Sequence, residues 1–145
     1  MEQLVVALRM ILANTLVMYN QAHVMHWNVE GADFPQYHKF FGKVYEGLFD
    51  ALDPIAEHIR FLGEKPPTTL PAMLAIASIS SDFEENTSFA EMLENFQTNN
   101  TSIIETIRDG IKSADEADEP AVSNFLQERL GAHQKLAWMI RSLLA

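Results

Sequence analysis

The chain has no cysteine, few glycines and prolines, and no apolar run long enough to cross a membrane. The lack of cysteine among 145 residues rules out disulfide bonds, thiolate zinc sites and cysteine nucleophiles, and it suits a reducing compartment. The longest apolar runs, such as Leu4 to Leu8, are far shorter than the roughly 20 residues of a transmembrane helix. The first residues, Met1 to Gln3, lack the basic region of a secretory signal. We therefore expect a protein of the cytoplasm that does not enter a membrane.

Positive charge is also scarce. The sequence has 10 Lys and Arg against 20 Asp and Glu, which gives a formal net charge of −10. The basic residues are scattered and neither terminus carries a basic tail, so we do not expect binding to nucleic acid. Apolar residues are abundant, at 48% of the chain. That share is enough for the globular core of a single domain over residues 1–145.

Apolar residues recur at steps of three and four, the period of amphipathic helices, in four long segments. The first helix is predicted over residues 3–29 and the second over 34–62, with Gly31 and Gly63 as the stop signals that follow them. Pro54 lies inside the second helix and removes one backbone hydrogen bond. The apolar stripe stays in phase across it, which indicates a bend rather than a break.

The third and fourth helices have clear beginnings. Ser88 and Glu91 form the pattern of a capping box, in which each residue caps the backbone of the other, and they open the third helix. An acid-rich break at 115–119 separates it from the fourth helix, which Pro120 begins. The first and second helices, and likewise the third and fourth, are joined by short connections, so each pair is predicted to be antiparallel.

The connection between the second and third helices is much longer. It covers residues 64–87, and an apolar stretch at 73–79 suggests one short helix within it. The second helix is about 43 Å long at about 1.5 Å per residue, while an extended connection of this size can cover about 80 Å. The predicted fold is therefore all-α, a ferritin-like four-helix bundle with one long crossover containing a short helix. The alternative is an up-down bundle with a loose loop.

Four polar residues on the first two helices are candidate metal ligands: His26, His38, Asp53 and Glu57. Asp53 and Glu57 are four residues apart and share a helix face, where two like charges cost roughly a few tenths of a kcal/mol. A divalent cation between them would reverse that sign, and imidazole with carboxylate is a donor set suited to iron. On spacing alone, a solvated acidic face with two ordinary surface histidines is the simpler interpretation.

Helix geometry separates the two candidate pairs within one chain. At about 100° per residue, Asp53 and Glu57 point away from the apolar stripe, and His38 lies about 22 Å from Asp53 along the helix axis. Two copies of the second helix, packed antiparallel about a two-fold axis near Tyr45, bring His38 of one copy level with Asp53 of the other. We therefore predict a metal site shared by two chains. No histidine has Glu three residues before it, which disfavours a di-iron centre within one chain.

Nearly the whole chain resembles the Dps family of miniferritins, and the residues that carry the resemblance are the segment His26-Trp27-Asn28-Val29-Glu30-Gly31, then His38, then Asp53 and Glu57. The resemblance implies a ferroxidase that oxidises Fe(II) with hydrogen peroxide and stores the ferric product. It also implies a hollow shell of twelve identical subunits, a dodecamer. Iron is then both substrate and cargo.

The same resemblance assigns roles to individual residues. It implies that His26 and His38 of one subunit bind iron together with Asp53 and Glu57 of another. It places Trp27 beside this site, where it absorbs oxidising equivalents. An aromatic side chain that packs at a helix end is an equal alternative for Trp27.

Two departures from the family pattern matter. The pattern usually has an aspartate four residues after its second histidine, where this chain has Gly42, so a ligand for a second iron is missing. Glu46, one turn further on, or water could take that place. The alternative function is therefore a ferritin-like metal-binding cage with weakened or lost ferroxidase activity. Members that bind DNA commonly use lysine-rich tails, which this chain lacks, so DNA binding is not expected despite the family name.

Acidic residues around the start of the fourth helix form a weaker candidate site. Helix capping and solvation explain them, while the resemblance implies that they line three-fold pores for iron entry. The remaining histidines are expected to be surface or packing residues. The acids that precede the helix are Asp115, Glu116, Asp118 and Glu119, Asn124 and Glu128 lie along its first turns, and the three histidines are His23, His58 and His133.

Overall fold

The computed structural model describes residues 1–80 and 83–145, and these fold as four long helices and one short one. No strand occurs in either range. The all-α class predicted from the apolar periodicity is thus confirmed. The helices are α1 Glu2–Asn28, α2 Phe34–Phe61, α3 Leu70–Ile76, α4 Phe89–Glu116 and α5 Pro120–Leu144.

Contacts between helix ends establish the directions of the four long helices. Arg9, near the start of α1, lies 3.4 Å from the carboxylate of Glu64, just beyond the end of α2, so these helices are antiparallel. Gln21, towards the end of α1, donates to Asn95 near the start of α4 at 2.8 Å, so α1 and α4 are also antiparallel. Residues 117–119 return the chain from α4 into α5. Helices α2 and α4 therefore run parallel, as the crossover length predicted.

The crossover is held against α1 and α4 by buried amide side chains. The fully buried Asn14 donates to the Ser78 hydroxyl and accepts from the Ser78 backbone N–H, both at 2.9 Å. Asn99 of α4 donates to the Ser80 carbonyl at 2.8 Å. These bonds satisfy polar groups that would otherwise be costly to bury, and they fix the path of the crossover along the bundle.

The short helix of the crossover begins earlier than predicted. It spans Leu70–Ile76 rather than residues 73–79. Thr69 caps it, because its side-chain oxygen accepts from the backbone N–H of Ala72 at 3.2 Å, and Pro71 lies in the first turn. The apolar stretch used for the prediction missed this local capping signal.

Other boundaries agree with the sequence to within a few residues. The predicted capping box is present, with Ser88 and Glu91 each accepting from the backbone of the other. The acidic break is shorter than predicted, because α4 continues to Glu116 and only residues 117–119 lie outside the helices. Asp118 ends the helical path there with a left-handed backbone φ of 56°. Helix α2 is continuous across Pro54, as the phase of its stripe predicted.

Helix α1 supplies much of the bundle core. By length and composition it is the one helix among the described residues that could pass for a membrane span, and 56% of that stretch is buried inside the bundle. It packs against α2, α3 and α4, and it buries side chains around most of its circumference. Burial in the protein core accounts for its apolar character.

A polar network is buried between α4 and α5. His133 is 1% exposed, and its Nδ1 lies 2.8 Å from the side-chain oxygen of Asn100. Because an amide oxygen only accepts, Nδ1 carries the hydrogen and Nε2 holds a lone pair, which faces Arg129 Nη2 at 3.1 Å. Burial, with a smaller contribution from the Arg129 charge, lowers the pKa of His133 to about 3. His133 is therefore a neutral packing residue, one of the two roles expected for it.

The depressed pKa of His133 should make the fold sensitive to acid. Its ordinary pKa is 6.5, so below that pH the unfolded chain takes up a proton that the folded chain refuses until about pH 3. The free energy of unfolding should fall by up to about 1.4 kcal/mol for each pH unit in this window. Urea midpoints of the wild type and of His133→Gln between pH 7 and 4.5 test this. If the urea midpoints of the two proteins changed equally with pH, His133 would not be the source of the acid sensitivity.

Candidate metal centre

His26 and His38 are brought together by the turn between α1 and α2. His26 lies in the last turn of α1, and residues 29–33 reverse the chain into α2. Gly31 has a backbone φ of +103°, a conformation that side chains with a Cβ rarely adopt, so the reversal depends on glycine. The two predicted histidine ligands therefore meet at one end of the bundle.

The two histidines form a reciprocal pair of hydrogen bonds. His26 Nδ1 lies 2.5 Å from the carbonyl oxygen of His38, and His38 Nδ1 lies 2.7 Å from the carbonyl oxygen of His26. A carbonyl oxygen only accepts, so both Nδ1 atoms carry hydrogen and both Nε2 atoms keep a lone pair. This is the tautomer that binds metal through Nε2, with the ring oriented by a backbone acceptor.

Ring stacking fixes the pair further. The centroids of the His26 and His38 rings are 3.7 Å apart and their planes differ by 16°. Phe34 also stacks on His38, with ring centroids 4.9 Å apart. Both histidines are only half-buried. The rings are thus held in place while remaining open to solvent, which suits ligands that must accept an ion from outside the chain.

Gly42 lies directly against the His26 ring. A Cβ placed on Gly42 would stand 3.2 Å from Cε1 and 3.4 Å from Nδ1 of His26, closer than most carbon contacts in proteins. From the sequence this glycine was only a missing ligand. The structure adds a steric role, because the absence of a side chain leaves room for the ring that bonds the His38 carbonyl one turn earlier.

The predicted carboxylates occupy a different part of the chain. Asp53 and Glu57 are both exposed on α2, as their helical phase predicted. Among the described residues neither carboxylate has a basic side chain within ion-pair distance. Within 1–80 and 83–145, no three groups of the His, Cys, Asp and Glu types gather as a metal site would require. One chain therefore presents a pair of histidines and, separately, a pair of carboxylates.

Trp27 is 60% exposed and packs on a neighbouring histidine that the sequence analysis did not associate with the site. The Trp27 and His23 ring centroids are 4.0 Å apart. His23 in turn stacks on Tyr45 of α2 at 4.1 Å, and Tyr45 meets the edge of His26 at 5.2 Å. This aromatic cluster could have been predicted in part from the sequence. His23 and Trp27 are about one helical turn apart, and His38 and Tyr45 about two, so each pair shares a helix face.

The acidic residues at the α4–α5 junction fit the simpler interpretation of solvated helix ends. Asp115 and Glu116 are exposed in the last turn of α4, and Glu116 lies 4.0 Å from Lys112 on the same helix. Asp118 is exposed between the helices. A pore lined by these residues needs other copies of the chain and stays a prediction.

Comparisons with known proteins agree with this architecture. The family model for the ferritin-like domain of ferritins matches residues 5–145. The DNA protection during starvation protein of Brevibacillus brevis is 32% identical over 144 residues, which cover 99% of this chain and 96% of that protein. The Dps structure from Thermosynechococcus elongatus superposes with a TM-score of 0.96 at 25% identity, covering 99% of this chain and 91% of that one.

A further structure connects the fold with a type of metal chemistry. The Dps protein of Vibrio cholerae, described as a member of a broad superfamily of ferritin-like diiron-carboxylate proteins, superposes with a TM-score of 0.92 at 25% identity. The match covers 99% of this chain and 90% of that one. Bundle, crossover and family match define a ferritin-like protein. Within that class, the chain belongs to the Dps family.

Proposed function

We propose that this chain oxidises Fe(II) at sites shared by two subunits and stores the ferric product in a hollow shell of twelve copies. Hydrogen peroxide is the proposed oxidant. Two Fe(II) ions each lose one electron, the O–O bond of one peroxide breaks, and two hydroxide ions form. The protein supplies the ligands and their placement, while the redox chemistry belongs to the iron. We place this activity in the cytoplasm.

The histidine pair is the observation that carries the proposal. Two half-buried imidazoles are oriented by backbone carbonyls so that each has a free Nε2 lone pair. A pair of packing histidines would not require this arrangement, whereas a metal site does. The family membership adds iron storage and oxidation as the general activity of this architecture.

The missing half of the site is proposed to come from a second copy. Asp53 and Glu57 supply two oxygen donors without a described cation to neutralise them. They lie about 22 Å or more along α2 from His38, so an antiparallel partner helix is needed to join the two pairs. The ring of Phe49 is 56% exposed and lies on the same face of α2, where it would face the small Gly42 of the second copy.

A weaker ferroxidase is the second candidate, and Gly42 favours it. The side chain that commonly completes the second iron position in this family is absent, and the His26 ring occupies the adjacent space. A shell that binds one iron per site would still store metal but would oxidise it more slowly. Binding to DNA is not part of either proposal, because the formal net charge is −10 and no basic segment is present.

Removing one histidine should separate metal binding from mere packing. For His38→Ala we expect anaerobic Fe(II) binding, measured by calorimetry, to weaken by at least about tenfold. Oxidation after mixing with peroxide, followed by stopped-flow absorbance, should slow in proportion. The exposed α4 residue Asp109 provides the control variant Asp109→Ala, which should behave as wild type, and light scattering should give one large particle for all three proteins. If His38→Ala bound Fe(II) as tightly as the wild type and oxidised it at the same rate, the proposal would be refuted.

A further inference from the structure

Arg129 on α5 is a partly buried cation without a counter-charge among the described residues. Its Nε is buried and has no hydrogen-bond partner, and no carboxylate in the described ranges lies within ion-pair distance. Its one described polar contact is from Nη2 to His133, which is neutral. Burying a charge without a compensating partner is unfavourable. Although the formal net charge of the chain is −10, the part of the chain that the structure describes gives this residue no acidic partner.

His133 shapes the position of this cation without neutralising it. Asn100 accepts from His133 Nδ1 at 2.8 Å and donates to the His133 carbonyl at 2.9 Å, which holds the ring rigidly. The lone pair on Nε2 then accepts one hydrogen of the Arg129 guanidinium. The buried Nε is out of reach of a ligand in solution, so the remaining hydrogens on the two Nη atoms are the donors left for another acceptor.

Arg129 lines a cavity of about 170 Å³ between α2 and α5. Two further cations, Lys43 of α2 and Lys135 of α5, stand at the same cavity, and both are exposed. Its apolar wall includes Leu48 and Leu136. No acidic residue is among the described lining side chains. Three of the 10 Lys and Arg residues of the chain therefore stand at this one cavity.

We propose that this cavity binds a small tetrahedral oxyanion of the phosphate class. The Arg129 guanidinium supplies charge-assisted hydrogen bonds from inside, and Lys43 and Lys135 supply charge at the mouth. A planar guanidinium fork matches the oxygens of phosphate, and lysine pairs with it as a point charge. The site is separate from the histidine pair, so it stands or falls independently of iron oxidation.

Calorimetric titration of the assembled, iron-free protein with inorganic phosphate tests this site. The ionic strength is held constant with chloride, so that general screening does not mimic binding. We expect one phosphate per chain in the wild type, at least tenfold weaker binding in Arg129→Met, and severalfold weaker binding in Lys135→Gln. The exposed α4 residue Arg108 gives the control Arg108→Met, which should bind phosphate as the wild type does.

Two outcomes would overturn the proposal. The first is no heat of phosphate binding by the wild type, and the second is equal affinity in the wild type and Arg129→Met. If the first is accompanied by a smaller particle for Arg129→Met, a carboxylate of a neighbouring copy is the missing counter-charge. Lys135→Gln changes an exposed side chain, so it keeps the test valid even if Arg129→Met folds poorly.

Discussion

Two inactive variants of this chain should restore iron oxidation to each other when they assemble into the same shell. The first variant, His26→Ala with His38→Ala, keeps the carboxylates. The second, Asp53→Ala with Glu57→Ala, keeps the histidines. Each variant alone should lose at least about 100-fold in oxidation rate, because every site lacks one complete set of ligands.

Mixed pairs behave differently if the site is shared. In a two-fold pair made of one chain of each kind, one site combines the two damaged halves and the other combines the two intact halves. Random assembly makes about half of the pairs mixed, so about a quarter of all sites should be complete. We therefore expect about a quarter of the wild-type rate after the two variants are unfolded, mixed and reassembled.

The control for this experiment is each variant reassembled with itself, which should stay inactive. Native mass spectrometry of the mixed sample should show shells that contain both chains. If shells with an odd number of each chain form, which requires mixed pairs, and no activity returns, the shared site is wrong. If either variant alone remains active, the residues it lacks are not ligands.

Much of the fold could be predicted because its signals are local. The capping box at Ser88 and Glu91 and the stop glycine after α2 mark helix ends through interactions within a few residues. The start of α3 was missed although Thr69 and Pro71 carry the same kind of signal, because the apolar stretch that follows drew the prediction towards its centre. Capping residues and stop glycines were thus sufficient to predict the helix ends at which they were considered.

The burial of His133 could have been predicted from the spacing of its neighbours along α5. Leu126, His133 and Ile140 are spaced by seven residues, which is two helical turns, and all three are buried. That spacing places His133 on the core face of α5. Its partners Asn100 and Arg129 depend on the register between helices, which no local pattern specifies.

The site was predictable in its residue types but not in its geometry. The short turn between α1 and α2 made it possible to expect His26 and His38 near each other. Their reciprocal bonds to backbone carbonyls depend on how closely the two helices approach, which is set by packing along their whole length. The same closeness gives Gly42 a role that sequence alone could not reveal, since a missing ligand and a required space look identical in a sequence.

Substitutions of Gly42 should therefore have two opposite effects. In Gly42→Ala the new Cβ presses on the His26 ring at 3.2 Å and displaces it from the His38 carbonyl. We expect the first iron to bind about tenfold more weakly, the size of effect seen when a ligand loses its orienting partner. This loss should occur although alanine favours helix by about 1 kcal/mol over glycine.

Gly47 offers a matched control on the same helix, because a Cβ there meets no atom of the described residues within 4 Å. Gly47→Ala gains the same helix propensity, so it should raise the melting temperature and leave iron binding unchanged. A tenfold loss in Gly42→Ala but not in Gly47→Ala would assign the effect to the His26 contact. Equal binding by Gly42→Ala and the wild type would show that the ring yields space without cost, and the steric role would be wrong.

Gly42→Asp carries the same Cβ and adds an oxygen ligand. We expect its first iron to bind as weakly as in Gly42→Ala, while the number of irons bound per site rises from one to two. Anaerobic titration measures both quantities in one experiment, and the peroxide reaction should then be faster than in Gly42→Ala. An unchanged stoichiometry would mean that the aspartate does not complete a second position. Affinity thus reports the space that His26 needs, and stoichiometry reports the ligand that glycine lacks.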